Sequence, residues 1–272
     1  MRCFWCFPAR NPKLPFTSPV SALAQTREGT IDTASDLEGF SPNESSEILA
    51  EARRRVDQLQ HWLYVEGDLF VRNGHSGSVE LYYRSKSATV HHLITRGDVF
   101  LPDVDDLCFV LKAINDPTTR KEWDHDILKL IEIRHLPVAT EYESLRQVYN
   151  AFRGRFGAPG RDFVWNVYNW NLGSVAYQMT FSIPENDCPS GFAPGDHGHF
   201  IRAETFVGGY RLIKESSGIR IQFVNQSDIK AGSIPDWLLN PFMKKTPERI
   251  GLLAQFILKQ WHQRSDACTC QN

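Results

Sequence analysis

Two sets of side chains have the types and spacing for metal or thiol chemistry. Cys3-x-x-Cys6 and Cys268-x-Cys270 stand at the two extremes of the chain. They would complete a four-sulfur zinc site only if the ends met, whereas structural zinc normally draws both pairs from one small module. Cys3 and Cys6 could instead accept palmitate and hold the protein beside a membrane. His91 and His92 point to opposite sides of a strand, and His197-x-His199 can face one way but lacks a nearby third ligand. Satisfied or solvated histidines describe them better. No Gly-x-Ser-x-Gly elbow, Walker loop, dinucleotide fingerprint or His-Glu-x-x-His is present. The sequence therefore predicts no metal, no cofactor and no catalytic constellation.

Strand faces and one helical stripe remain, which spacing alone reads as packed core and which the resemblance carried by the motifs at 116–124, 160–164 and 200–240 reads as the lining of a cavity for an apolar guest. A lipid tail of about 16 carbons is favoured by roughly 0.8 kcal/mol per CH₂ when it leaves water. A carrier must offer an equally dry lining with a few polar anchors. A strand over 161–170 puts Trp165, Val167 and Asn169 on one face and Asn166 and Tyr168 on the other. The first set is read as inward, with Asn169 near the mouth; the plain alternative is that Trp165 and Val167 are packed core with no void. Ile201, Ala203 and Thr205 alternate with Arg202 and Glu204, which places the small residues inward and the charges outside. Arg161 and Asp162 read as a strand-end ion pair or cap. Toward the C-terminus Leu239, Met243, Thr246, Ile250, Ala254 and Ile257 recur at spacings of three and four, a single helical stripe. Its small or flexible members would leave room for a ligand. From spacing alone a tightly packed core stripe is the default reading. The loop 183–198, with three prolines and three glycines, is longer than a hairpin needs. It is the candidate gate, with Phe192 able to dip into a bilayer interface; an ordinary surface loop has the same composition.

The elements that must position these residues follow from periodicity. Residues 1–43 show no sustained period and read as a flexible tail. Arg2, Arg10, Lys13 and Arg27 without an acid among the first 27 residues match organelle-targeting segments, and equally many tails. From Ser45, Ile48, Leu49, Ala52, Val56, Leu59 and Leu63 mark an amphipathic helix. Alternation over Val79–Tyr83 and Val90–Ile94 predicts paired strands. Asp103 is the expected cap of a helix ended by Asn115-Asp116-Pro117, with a short turn over 118–122. Strands follow at 127–135, 143–152, 161–170, 174–183, 199–207, 210–215 and 219–228, with Gly208-Gly209 read as a turn. The closing helix has Thr246 as N-cap and Pro247 in its first position. The order is α+β without βαβ repeats, one domain over 44–264 with a tail at 265–272.

Composition bounds the partners. The chain is 42% hydrophobic and 23% charged, with a formal net charge of −2. Without a basic excess, nucleic acid is not the expected partner. No stretch reaches the roughly 18 apolar residues of a spanning helix, no secretory signal is visible, and the cysteines read as reduced thiols. A cytoplasmic protein, at most peripherally attached to membranes, is expected.

Three motifs in this order resemble the START (lipid-transfer) family of the helix-grip superfamily. The first is Asp116-Pro117-Thr118-Thr119-Arg120-Lys121-Glu122-Trp123-Asp124. The second is Gly160-Arg161-Asp162-Phe163-Val164. The third runs from Phe200-Ile201-Arg202-Ala203-Glu204 through Gly209 to the segment Asp228–Asn240. The resemblance covers roughly residues 50–263. It implies a curved antiparallel sheet wrapped around a long C-terminal helix, with an internal apolar cavity. The guest would be one phospholipid, sterol or ceramide-like lipid, exchanged at a transiently contacted membrane surface without catalysis. Sterol-binding members often carry a basic residue on the strand opened by Arg-Asp-Phe-Val. Val167 holds that position here, and Gln147 and Val148 stand where its acidic partner would be, which weakens a sterol assignment. The alternatives are an enzyme of the superfamily acting on a hydrophobic substrate and a lipid-sensing interaction domain.

Overall fold

The computed structural model describes residues 42–87, 92–136, 138, 140, 142–154, 158–232 and 236–269. Cys3, Cys6, Val90, His91 and Cys270 therefore lie outside the described residues. The alternating segments form β1 (Val71–Ser76), β2 (Val79–Arg84), β3 (Ile94–Pro102), β4 (Ile127–Leu136), β5 (Glu143–Phe152), β6 (Arg161–Asn171), β7 (Val175–Ser182), β8 (Ile201–Arg202), β9 (Glu204–Glu215) and β10 (Gly218–Asp228). They build one curved sheet in the order β1-β2-β3-β10-β9-β7-β6-β5-β4. Neighbours along it are antiparallel, and β8 pairs with β6 in parallel. The helices are α1 (Pro42–Tyr64), α2 (Leu107–Asn115), α3 (Pro117–Trp123), α4 (Asp236–Met243) and α5 (Arg249–Thr269).

Because side chains alternate across a strand, the register sorts the sheet into two faces. Leu145, Tyr168, Met179 and Val224 lie in one row of the outer face. They bury the apolar stripe of α1, including Ala52, Val56 and Leu59. On the inner face Val99, Leu101, Leu212, Ile219 and Ile221 meet α2 and α5. The closest approach is at Gly97 in β3, where a Cβ would stand 2.7 Å from Cβ of Pro247 and 3.1 Å from Cδ1 of Ile250. A larger residue there would push the terminal helix off the sheet.

Several expectations are corrected. Gly208 and Gly209 do not turn the chain but lie within β9. A Cβ on Gly209 would reach 2.5 Å from the Gln178 carbonyl oxygen and 2.6 Å from Sδ of Met179, so glycine is required by cross-strand packing. The cap of α2 is Asp106, whose carboxylate accepts from the Phe109 amide at 3.0 Å; Asp103 sits at φ 62 in the turn leaving β3. Thr246 lies in a 3₁₀ turn rather than capping α5 directly. α1 begins at Pro42, and α5 continues to Thr269, past the expected end at 264. β1 was not legible because its residues are nearly all exposed.

A buried charge fixes α1 to the sheet end. Arg53 donates to both carboxylate oxygens of Glu143 at 2.8 and 2.9 Å, Thr140 donates at 2.8 Å, and the Tyr168 hydroxyl donates as well. Burial pushes the Glu143 carboxyl upward, but these hydrogen bonds hold it below its ordinary value. A depressed carboxyl contributes stability at neutral pH that is lost as pH falls through its folded-state value. Glu143→Gln should therefore cost about 1–3 kcal/mol at neutral pH. In urea denaturation its deficit should shrink below the ordinary carboxylate range of about 4. A deficit that stays constant into acid would contradict the ionic role.

Candidate functional site

The middle of the inner face has a different composition from its flanks. On β5 the inward positions are Ser144, Arg146, Val148 and Asn150, paired in register with Asn169, Val167, Trp165 and Phe163 of β6. β7 adds Gln178 beside Asn169 and Thr180 beside Val167. This row faces the elbow between α2 and α3. Asp116 forms the elbow by capping α3, accepting from the Thr119 amide at 3.1 Å, with Pro117 at the first helical position. Buried Trp123 locks α3 to α2 through a 2.8 Å hydrogen bond from Nε1 to the Ala113 carbonyl. These contacts explain the spacing of the Asp-Pro-x-x-Arg-x-x-Trp motif, and they turn Arg120 toward the sheet.

Between elbow and sheet lies a void of about 10 Å³, room for roughly one water molecule. Its apolar wall is Pro117, Leu130, Val148, Trp165 and Val167; its polar wall is Asn115, Arg120, Arg146, Asn150 and Gln178. Arg146 donates to Glu132 at 2.7 Å and to the carbonyl and side-chain oxygens of Asn115 at 2.8 and 2.9 Å. The Asn115 amide continues the chain to Asn169 at 2.9 Å, and Asn169 donates to Ser144 at 3.0 Å. Burial lowers the pKa of Arg146; the Glu132 hydrogen bond opposes the shift, and the nearby Arg120 charge adds to it.

The expected lining residues divide into three groups. Trp165 and Val167 line the void. Ala203 packs in the same cluster as these two, Thr205 accepts from Trp165 Nε1 at 3.1 Å, and Asn169 belongs to the polar chain just described. Half-buried Ile201 sits in β8 beside Arg161. Ile250, Ala254 and Ile257 are instead fully packed against the apolar flank of the sheet. Leu239, Met243 and Thr246 are half-buried in the segment leading into α5. None of these six borders the void.

Phe192 is in the wrong place for a gate over this void. It packs on Tyr149 and His197, with ring centroids 5.7 and 4.8 Å away. Tyr149 alternates with Val148 and Asn150, so Phe192 covers the outer face. The loop is pinned there by Arg202, which pairs with Asp162 at 3.1 Å and donates to the Phe192 carbonyl at 3.0 Å. Arg202 is thus outward but buried, and Asp162 pairs with it rather than with Arg161, which donates to the Ile229 carbonyl at 2.8 Å. The polar wall is what the sequence reading missed. Its signal was available: a strand carrying Ser144, Arg146 and Asn150 at alternate positions, opposite Leu145, Tyr149 and Ala151, has a polar buried face.

Among the described residues no cluster of His, Cys, Asp and Glu could hold a metal, and no helix is long and apolar enough to cross a membrane. A long antiparallel sheet curved about a terminal helix, with its residual void on the concave side, defines the helix-grip class. The profile of the START domain matches residues 74–248, and the chain belongs to that family. Human StAR-related lipid transfer protein 5 is similar in structure, with a TM-score of 0.63 at 13% identity over 81% of this chain and 99% of that one. Human STARD10 gives 0.58 at 16% over 84% of each chain. A STAR-related lipid transfer protein from Xanthomonas axonopodis gives 0.54 at 19% over 70% and 99%. Sequence comparison with curated proteins gives no match.

Arg202→Met would leave Asp162 buried without its partner, at an expected cost of about 3–5 kcal/mol. Amide hydrogen exchange over 188–200 should accelerate more than exchange in β9 and β10. Unchanged protection of that loop would remove the latch.

Proposed function

We propose that this chain binds a single lipid between the inner face of β5–β7 and the layer of α2, α3 and α5, and exchanges it at membranes without altering it. The observation that carries this reading is the void itself: an apolar wall and a polar wall meet there, in a fold whose family carries lipids. A ligand of drug size occupies about 300–1,000 Å³, so uptake requires the helical layer to part from the sheet. Trp165 and Val167 make the first contacts in this scheme, with Ala203, Thr205 and Asn169 behind them. Ile250, Ala254 and Ile257 become lining once α5 has moved, and Ile201, Leu239, Met243 and Thr246 stand at the margins. Trp237, 76% exposed, and Phe242, 51% exposed, lie on α4 just before α5. Indole and phenyl groups suit a bilayer interface, which supports membrane contact near the moving helix.

Catalysis is the weaker reading. The titratable groups lining the void are Arg120 and Arg146, and a guanidinium stays protonated and makes a poor general base.

Native mass spectrometry of the purified chain should show one co-purified lipid, recovered unchanged after vesicle-to-vesicle transfer. Val148→Trp, which overfills the space between elbow and sheet, should lower uptake about tenfold or more while circular dichroism is retained. Protein that is repeatedly ligand-free and takes nothing from liposomes would defeat the proposal, and chemical conversion of the cargo would favour an enzyme.

A further inference from the structure

The outer face of the sheet carries one buried arginine whose charge is not answered. In register, Tyr177 of β7, Arg211 of β9, Gln222 of β10 and Asp98 of β3 stand side by side on that face. Arg211 is only 9% exposed. Its Nη1 donates to Oε1 of Gln222 at 2.8 Å, and Gln222 donates in turn to Asp98 at 3.2 Å. Among the described residues its buried Nε has no partner, and no carboxylate stands within ion-pair distance of it. Other arginines of this face are arranged differently. Arg84, Arg96, Arg202 and Arg220 each reach a carboxylate, those of Glu66, Asp98, Asp162 and Glu215. Arginine is rarely buried unless paired, and native interiors satisfy nearly all buried donors, so Arg211 marks a place where an acid is missing.

The surroundings restrict what carries that acid. Tyr64, the last residue of α1, is 60% exposed, and its ring centroid lies 4.4 Å from the Arg211 guanidinium. Rotating that ring aside uncovers the guanidinium, whose planar fork takes a carboxylate side-on. Val65 and Leu69, in the turn after α1, are exposed as well. The next row of the same face, Val175, Ile213 and Phe100, lies beyond the end of α1 and is only half-buried. A nucleic acid or an anionic bilayer presents many charges, and would meet Glu80, Asp98 and Glu215 on this face. A lone inorganic ion would leave the apolar residues in water. One carboxylate set among apolar side chains fits both features, and a protein segment supplies that combination.

We propose that the outer face beside the end of α1 docks a partner protein through a single acidic side chain, which enters beneath Tyr64 to pair with Arg211 while its apolar neighbours cover Val65, Leu69 and the row from Val175 to Phe100. This surface lies across the sheet from the void, so it is independent of the lipid-binding reading.

The full chain is screened against a displayed library of short random peptides, and one enriched peptide is synthesised and titrated by fluorescence anisotropy. Enriched sequences should share an acidic residue flanked by apolar ones. Replacing that acid by its amide should weaken binding about tenfold or more, the effect of one charge-assisted hydrogen bond. Arg211→Gln should weaken it by a similar factor. The two changes together should cost little more than either alone, because they remove the same contact. Arg220→Gln, whose charge already has Glu215, should leave the affinity within about twofold. Should Arg211→Gln fail to fold, Val65→Glu, at an exposed position, repels the same acid and takes its place. Enrichment without an acid, or additive effects of the paired changes, overturns the inference. So does binding to phosphatidylserine vesicles, or dimerisation of the free chain, that Arg211→Gln abolishes, since these assign the site to a membrane or to a second copy.

Discussion

A helix can seal a sheet only where the two surfaces answer each other chemically, and this sheet has an inner face made of two materials. Along β3, β9 and β10 the inward residues Val99, Leu101, Tyr210, Leu212, Ile219 and Ile221 are aliphatic or aromatic, and the start of α5 settles so closely that Gly97 is needed to let Pro247 and Ile250 approach. Along β5 and β7 the inward residues include Arg146, Asn150 and Gln178, which no apolar helix can satisfy. The α2–α3 elbow meets that strip instead, bringing Asn115 and Arg120, and the contact remains incomplete. The void is therefore a consequence of composition: the layers join where apolar meets apolar and stay apart where hydrogen bonds are left over.

The outer face is built in the opposite sense. Each of its coverings is fastened by an ion pair to a buried carboxylate, α1 through the half-exposed Arg53 to Glu143 and the 183–200 loop through the buried Arg202 to Asp162. Separating such a pair leaves a lone charge in a dry setting, at a cost of several kcal/mol. The inner helices are held by apolar contact along α5, by hydrogen bonds at the elbow, where Arg146 and Asn169 of the sheet meet Asn115 of α2, and by Arg249, which reaches Asp126 at 2.8 Å and Asp124 at 3.8 Å. Apolar contact loses little when one hydrocarbon surface is exchanged for another. Of the two faces, the inner one is thus the one whose apolar contacts a hydrophobic guest could replace.

How far the sequence showed this depends on which signal carried it. The sheet, the closing helix and the shared face of Trp165 and Val167 followed from alternation and helical spacing, which are local and strong. The motif spanning Asp116 to Asp124 was legible as a pattern, and the structure supplies its physics in a cap, a first-turn proline, an arginine turned inward and a tryptophan lock. Gly208-Gly209 misled because the same residue serves tight turns and crowded cross-strand contacts, and only the neighbours Thr180 and Met179 decide between them. Phe192 misled for a related reason: a loop's composition says that it can bend but not which face of a sheet it will cover. The polar wall was less legible because an arginine on a strand ordinarily marks an exposed position, and Arg146 is buried only through long-range hydrogen bonds to Glu132 and Asn115.

Buried groups of the polar wall that have no hydrogen-bond partner also bear on how ligand and fold are coupled. Each buried donor or acceptor left without a partner costs about 1–3 kcal/mol, a large share of the 5–15 kcal/mol that holds a typical domain together. A guest that answers such groups removes that penalty as well as filling space, so binding and stability become one equilibrium. On the proposed lipid-binding reading, the two routes of release leave the same empty site and differ only in where the tail goes. Water would expose it at roughly 0.8 kcal/mol per CH₂, whereas a bilayer takes it at little cost, so that reading places exchange at a membrane.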